Sequence, residues 1–171
     1  VYQNPTSENL DLLWEKHEVL DWVSNDSPWF TDIVGDERPE LVCTRDGYFG
    51  YATINWEQPF ETWVFHIISE QIAVARFGHG LGVGDLSGDG KMDVIHSNGW
   101  FEQPAELTEE LWTQHAAAFS NAYGGAEMHA YDVDGDGDND VITSLAAHDF
   151  GLAWFEQYDE NGERLFRMHE I

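Results

Sequence analysis

Residues 132–140 of the chain read DVDGDGDND, which places five carboxylates within nine residues. Carboxylates at this density repel one another strongly unless a cation neutralises them. A hard divalent cation prefers oxygen ligands, and Ca²⁺ suits a flexible loop. We therefore interpret the stretch as a calcium loop in which Asp132, Asp134 and Asp136 supply carboxylates at positions 1, 3 and 5. Asp138 supplies its backbone carbonyl at position 7, and Asp140 closes the ligand shell at position 9.

A second loop with the same spacing lies upstream. Residues 85–93 read DLSGDGKMD and keep acids at positions 1, 5 and 9. Glycine stands at position 6 of both loops, where the chain turns sharply and a Cβ would clash. Because a serine replaces the carboxylate at position 3, we expect weaker binding here. The predicted ligands of this loop are Asp85, Ser87, Asp89, Lys91 at the carbonyl position, and Asp93.

A third, degenerate copy is found at residues 32–40, DIVGDERPE. It keeps three acids, but Val34 at position 3 cannot ligate a metal, and Glu37 occupies the position that requires glycine. We predict that this loop, Asp32 to Glu40, holds no ion. The expected cofactor is therefore Ca²⁺ at two sites.

Two alternatives to these calcium loops were weighed. An EF-hand requires a bidentate Glu at position 12 and a helix on each side. Position 12 is His96 in one loop and Thr143 in the other, and the flanking residues read as strands. A solvated acidic turn without metal is the other alternative, and two copies with matching acid and glycine spacing argue against it.

Composition restricts the possible partners. The 171 residues are 42% hydrophobic and include eight tryptophans, which indicates a folded domain and not an acidic disordered tail. The net charge of −26 excludes nucleic acid and anionic membrane surfaces as partners, because both would be repelled. No stretch reaches the roughly 18 apolar residues of a membrane span, so membrane insertion is not expected. The excess of acid fits an extracellular, cell-surface or periplasmic setting.

Two markers repeat along the chain. A Trp-x-x-His step occurs at Trp14, Trp63 and Trp112, each 49 residues after the last, and Phe166 continues it. The second marker is aromatic-Glu-Gln, at 56–58, 101–103 and 155–157. The markers and the acidic loops keep one order in every repeat. The histidines of the first marker, and the glutamates of the second, suit repeated structural bonds.

Each repeat reads as four short strands, which is typical of a β-propeller blade. The fold class is therefore all-β, with three four-stranded antiparallel blades. Residues 1–24 are predicted to contain the outer strand of a preceding blade (Leu13 to Leu20) and a linker. Blade 1 is predicted at 25–73, blade 2 at 74–122 and blade 3 at 123–171. Known propellers close with about four to eight blades. We therefore expect part of a larger propeller, or a ring completed by other copies of the chain.

The chain resembles the FG-GAP/VCBS-type repeats of integrin-α-like β-propellers, in the form common in secreted bacterial proteins. The residues that carry the resemblance are 84–93 and 132–140, with the segments GWFEQP at 99–104 and GLAWFE at 151–156. The resemblance implies that the acidic loop joins the first two strands of each blade and binds a structural Ca²⁺. It also extends to propeller lyases and dehydratases that act on sugars, such as aldos-2-ulose dehydratase.

Three functions follow as hypotheses. The first is a calcium-stabilised extracellular module that binds or scaffolds a glycan or protein ligand. The second is a sugar-modifying lyase or dehydratase, although the symmetry of the acidic series favours structure over catalysis. Its candidate acid and base groups break the repeat near the ends of first strands, and they are His79, Glu127, His129 and His148. The third is a self-assembling surface or filament subunit, suggested by the blade count.

Overall fold

The fold is known from a computed structural model that describes residues 1–9, 11–74, 76–120 and 124–171. These residues form fourteen β-strands, and no helix occurs among them. The prediction of an all-β chain is confirmed. In this part of the chain there is also no helix long and apolar enough to cross a membrane.

The N-terminal segment differs from its prediction. Strand β1 (Tyr2–Gln3) pairs antiparallel with β2 (Glu15–Lys16) as a small ribbon. The outer strand predicted for 13–20 is thus only two residues long, and it pairs with the chain's own N-terminal residues. Beyond it, Val19 is buried and accepts a hydrogen bond through its carbonyl from the Trp63 N–H at 2.8 Å. This contact attaches the segment to the first large sheet.

Three meanders of four antiparallel strands make up the rest of the chain. The first contains β3 (Trp29–Thr31), β4 (Glu40–Arg45), β5 (Tyr48–Thr53) and β6 (Val64–Ile67). The second contains β7 (Leu81–Gly84), β8 (Asp93–His96), β9 (Gly99–Glu102) and β10 (Thr113–Ala116). The third contains β11 (Glu127–Tyr131), β12 (Asp140–Ser144), β13 (Leu152–Glu160) and β14 (Glu163–Glu170).

The first strands of the second and third meanders pair in parallel. Glu127 to His129 of β11 lies against Leu81 to Val83 of β7, which merges the two meanders into one curled, eight-stranded sheet. Glycine allows this approach, because a Cβ at Gly82 would lie 2.8 Å from the Cβ of Met128.

The hydrophobic core lies between consecutive meanders. One cluster fills the space between the first and second, with Val42, Tyr51, Leu81, Val83 and Phe101 among its members. A second cluster fills the space between the second and third, with Ile95, Trp100, Met128, Val141 and Phe155 among its members. The β7–β10 meander is therefore covered by apolar side chains on both of its faces.

The antiparallel order separates two ends of the molecule. The three acidic loops join β3 to β4, β7 to β8 and β11 to β12, so they share one end, which we call the acidic-loop end. The turns between the second and third strands lie at the other end, which we call the turn end. The turn of the second meander is Ser97–Asn98, because His96 pairs with Gly99.

Three of the four repeated histidines, His66, His115 and His169, pack on the third strand of their own meander. His115 stacks on Trp100 with ring centroids 4.2 Å apart, and its Nε2 donates to Glu102 Oε2 at 2.7 Å. The third meander repeats this arrangement. His169 stacks on Trp154 with ring centroids 4.4 Å apart, and its Nε2 donates to Glu156 Oε2 at 2.6 Å. The hydrogen bond to His169 is the main reason that the pKa of Glu156 is lowered.

The aromatic-Glu-Gln marker does not keep this register in the first repeat. His66 stacks on Tyr51 and hydrogen-bonds with Thr53 Oγ1 at 2.9 Å, so Thr53 occupies the place of the glutamate. Glu57, which the sequence pattern assigned to it, lies beyond β5 in the turn that follows. A three-residue marker can be matched by chance outside a strand, and only strand pairing shows which residue faces the histidine.

The close approach of β7 and β11 generates a stability prediction. Gly82→Ala forces the two strands apart and should lower the free energy of unfolding by about 1–3 kcal/mol. Gly78→Ala is the matched control, because its new Cβ would meet its nearest neighbour, Val74 Cβ, at an ordinary 3.6 Å. Urea unfolding of both variants is the measurement. Equal stability of the two variants would show that this contact does not constrain the sheet.

A buried histidine generates a prediction about pH. His96 is packed between Phe49 and Phe101, and burial lowers the pKa of its imidazole to about 4. The stability that neutral His96 contributes is fully present above the ordinary pKa of 6.5 and is lost as the pH falls towards 4. At about pH 5 the loss is about 2 kcal/mol.

Urea unfolding at about pH 7 and about pH 5 should test this. Between these pH values the free energy of unfolding of the wild-type chain should fall by about 2 kcal/mol more than that of His96→Leu. This variant places an uncharged apolar side chain at the same position. The comparison cancels the titration of the acidic residues that both proteins share. The same pH dependence in both proteins would contradict the assignment.

Candidate metal centre and histidine pair

The carboxylate at position 1 organises the turn of each acidic loop. Asp132 Oδ1 accepts hydrogen bonds from the N–H groups of Gly135 at 2.7 Å and Asp136 at 3.1 Å. Its Oδ2 accepts from the Gly137 N–H at 3.2 Å. Asp85 and Asp32 make the corresponding bonds to positions 4, 5 and 6 of their own loops. All three loops therefore have one backbone turn, including the loop predicted to hold no ion.

Position 6 of each loop has a left-handed backbone. Gly90 and Gly137 have φ values of 87° and 104°, and Glu37 in the degenerate loop has 69°. An L-residue with a side chain adopts this conformation at a cost of about 1–2 kcal/mol. The loop thus retains its turn despite Glu37, because the hydrogen bonds from position 1 hold it.

The third loop brings its first three acids together. Asp132, Asp134 and Asp136 each offer a carboxylate oxygen, and these oxygens all lie within 4.8 Å of one another. Within the described ranges they are the one group of three or more His, Cys, Asp or Glu side chains that meets this condition. Three converging carboxylates are hard oxygen donors of the kind Ca²⁺ prefers, so the residues fit the predicted ion. They would hold it, and it would neutralise their mutual repulsion.

The second loop is partly neutralised by its own lysine. The Lys91 ammonium forms an ion pair with Asp89, and this hydrogen bond lowers the pKa of that carboxyl. Ser87 Oγ donates to Asp85 Oδ1 at 3.3 Å, as part of the turn. The second loop thus offers fewer unpaired carboxylates than the triad of the third loop, and weaker calcium binding there stays a prediction. In the third loop, Asp138 donates its N–H to Asp136 Oδ1 at 2.9 Å.

The acids at position 9 anchor the loop to the sheet. Asp93 is fully buried, and its Oδ2 accepts the N–H groups of Leu86 and Ser87, both at 2.8 Å. Its Oδ1 accepts the N–H of Gln103 on the third-strand side at 2.9 Å. Burial raises the pKa of Asp93 to about 6, although these three donors oppose the shift.

Asp140 and Glu40 repeat this anchoring in their own loops. Asp140 accepts the N–H of Val133 at 3.0 Å and that of Gln157 at 2.8 Å. Glu40 accepts those of Ile33 and Val34 at 3.2 Å and 3.4 Å. Sequence reasoning assigned Asp93 and Asp140 to the metal shell and missed this anchoring. The available signal was Glu40, an acid retained at position 9 of a loop that was not expected to bind metal.

Neighbouring loops are also joined to each other. Asn139 Nδ2 of the third loop donates to the Asp85 carbonyl of the second at 2.8 Å. Gln103 Nε2 donates to the Ile33 carbonyl of the first loop at 2.5 Å. Hydrogen bonds therefore connect neighbouring segments along the acidic-loop end.

The four catalytic candidates form two pairs. His79 and His148 lie at the turn end, with their Nε2 atoms 3.0 Å apart although 69 residues separate them in sequence. Asp26 Oδ2 lies 3.4 Å from Nδ1 of His79. The other pair is on β11, where His129 Nε2 lies 3.7 Å from Glu127 Oε2, and both side chains are about half exposed. Sequence reasoning missed Asp26, which carries no motif.

Comparison of the chain with family models, with curated proteins and with solved structures finds no match. Function is therefore argued from the geometry of the two ends.

The anchoring role of position 9 is testable without metal. Asp140→Ala leaves two backbone N–H groups without their acceptor, and we expect a loss of about 2–3 kcal/mol in the free energy of unfolding. The loss should be the same in chelator and in calcium if anchoring is the main role. Asp138→Ala is the control, because in the described part of the chain the Asp138 carboxylate accepts no hydrogen bond. Urea unfolding in chelator is the measurement. Equal free energies of unfolding for Asp140→Ala and Asp138→Ala would refute the anchoring role.

Proposed function

We propose that this chain is a calcium-stabilised extracellular module of β-propeller type that binds or scaffolds a glycan or protein ligand. The observation that carries the proposal is the convergence of Asp132, Asp134 and Asp136 within a preformed turn. The turn is held by backbone hydrogen bonds, so the ion adds charge neutralisation to a loop that is already folded. The role of the metal is structural.

The packing of the sheets supports their assignment as propeller blades. Each meander packs face to face on the next, and the first strands of the second and third meet at glycines. Apolar side chains remain exposed at the two ends of the row, such as Phe30 in the first meander and Tyr131 and Leu152 in the third. Since a ring needs about four blades or more, these faces would be covered by further blades or by another copy.

The calcium loops favour an extracellular setting. Asp134 and Asp136 are exposed, so the carboxylates are well solvated and a site built on them binds weakly. Extracellular calcium modules operate with dissociation constants of about 10⁻⁴ to 10⁻³ M, which match the calcium concentration outside cells. The net charge of −26 restricts the ligand to a neutral or basic surface, or to a neutral glycan.

The calcium part of the proposal predicts a specific pattern of thermal stability. Calcium at about 100 times its dissociation constant should add about 2.7 kcal/mol to the unfolding free energy of the wild-type chain. Asp134→Asn should remove most of this increment, because it takes one charge from the triad without disturbing the turn. Asp36→Asn is the control, because it alters an acid of the degenerate loop. This variant should keep the full calcium-dependent gain in unfolding free energy. Melting curves in about 10 mM calcium, which is about 100 times a dissociation constant of about 10⁻⁴ M, and in chelator provide the measurement. Identical curves for the wild-type chain would end the proposal.

Two other functions have an observation in their favour. A sugar-modifying lyase or dehydratase is favoured by the contact of His79 with His148 and Asp26, since His79 also lines a cavity at the turn end. A self-assembling subunit is favoured by the apolar side chains at the ends of the row. Glycan arrays and sugar-turnover assays separate binding from catalysis. Light scattering in calcium and in chelator identifies calcium-dependent assembly.

A further inference from the structure

We propose that His79 and His148 form a binding site for a transition-metal ion of the class that prefers imidazole, such as Zn²⁺, Ni²⁺ or Cu²⁺, with Asp26 as a positioning residue. The site is separate from the calcium loops, since it lies at the turn end of the sheets. It draws on three parts of the chain: the segment before β3, the segment before β7, and the turn between β12 and β13.

The distance between the two rings carries the proposal. Nε2 of His79 lies 3.0 Å from Nε2 of His148, and the rings are nearly perpendicular, at 83°. Two imidazole nitrogens this close require a shared proton or a shared cation between them. Two histidines bound to one tetrahedral ion at about 2.0–2.1 Å have their nitrogens about 3.4 Å apart. Small side-chain rotations would therefore admit the ion.

Asp26 lies where it would orient the metal-binding histidine. Its Oδ2 is 3.4 Å from Nδ1 of His79, on the side of the ring opposite Nε2. A carboxylate at Nδ1 favours the tautomer that carries its proton there, and this leaves the Nε2 lone pair for a metal. The side chain of His79 is only 14% exposed, so its ring has little freedom to turn away.

Backbone hydrogen bonds hold the segments together. The Asp26 N–H donates to the Gly78 carbonyl at 3.0 Å, and the Gly78 N–H donates to the Ser24 carbonyl at 3.1 Å. The Gly80 N–H donates to the Ala126 carbonyl at 2.9 Å, which ties the His79 segment to the start of β11. These bonds position Asp26 and His79 independently of any ligand.

The turn that carries His148 is tied to the same region. The Ala147 N–H donates to the Gly124 carbonyl at 2.9 Å, and the Leu145 N–H donates to the Gly151 carbonyl at 2.9 Å. His148 itself is exposed, so an ion can reach the pair from solvent. A site with one ring held in place and the other at the surface needs little reorganisation on binding.

The surroundings provide for a ligand on the open positions of the metal. A cavity of about 130 Å³ is lined by His79 together with polar side chains that include Asn25, Thr44 and Gln114. Asn25 is 8% exposed, and its Nδ2 has no hydrogen-bond partner among the described residues. A buried amide donor of this kind would be satisfied by an oxygen atom of a small ligand. We therefore assign oxygen ligands, water or a small hydroxyl- or carboxylate-bearing molecule, to the remaining metal positions.

The first test is calorimetric titration of Zn²⁺ into the full chain in excess Ca²⁺, which occupies the carboxylate loops. His79→Gln and His148→Gln should each weaken the zinc affinity about 100-fold or more, since each removes one of two protein ligands. Asp26→Asn should weaken it about 10-fold, and Asp26→Glu should restore part of the loss. His129→Gln is the matched control, because it removes an exposed histidine that also lies beside a carboxylate, and its affinity should equal that of the wild-type chain.

The second measurement identifies the metal ligands directly, first in the wild-type chain and then in two variants. Electron paramagnetic resonance of one equivalent of Cu²⁺ on the wild-type chain should show coupling to two imidazole nitrogens, and His148→Gln should show coupling to one. Asp26→Asn should bind copper more weakly but still show coupling to two imidazole nitrogens. This result would show that Asp26 positions His79 and is not itself a metal ligand. The absence of zinc binding, unchanged binding in both histidine variants, or a wild-type copper spectrum without two imidazoles would each overturn the proposal.

Discussion

Both faces of the β7–β10 meander are apolar, and this requires that a sheet cover each of them. Val83 and Phe101 belong to the cluster on one side, and Ile95 and Trp100 to the cluster on the other, so β8 and β9 contribute apolar side chains to both faces. Burial of this area is the main favourable term in the fold. It places the three meanders in a row, with their first strands side by side. Once those strands are aligned, the acidic loops must share one end and the second turns the other.

The acidic loops divide their carboxylates among three tasks. The acid at position 1 folds the turn, and the acid at position 9 accepts N–H groups from the start of the loop. In the third loop, Asp134 and Asp136 lie close to Asp132 and would complete the proposed calcium site. This division explains why the degenerate loop keeps its shape. Asp32 and Glu40 retain the first two tasks, and only the third is lost with Val34. An acid-rich loop can therefore be stable before it binds metal.

The two ends of the molecule differ in the chemistry they offer. The acidic-loop end presents hard carboxylate oxygens, as Ca²⁺ requires, whereas the turn end presents two imidazole nitrogens. Because ligand type separates these classes of metal, the two proposed sites would not compete at ordinary concentrations. A structural ion at one end and an ion with open positions at the other would combine stability with ligand recognition in one small chain.

The sequence by itself determined the all-β class, the order of strands in each meander and the residues of the acidic loops. These features depend on local patterns: markers that recur in one order, and acids and glycines at regular spacing within nine residues. The sequence placed the glutamate of the first repeat at Glu57, where the sheet register selects Thr53 instead. That register depends on which strands pair, and a short marker does not encode it.

Only the tertiary structure decided which distant residues meet. His79 and His148 are 69 residues apart, and Asp26 belongs to another repeat, so no spacing in the sequence relates them. The parallel pairing of β7 with β11 and the hydrogen bonds between residues 24–26 and Gly78 bring them to one place. In the same way, the role of Asp93 and Asp140 followed from their burial against the third strand. Residues that act within one loop can be recognised from their spacing in the sequence. Contacts between repeats cannot, because they arise when the apolar faces of the sheets pack together.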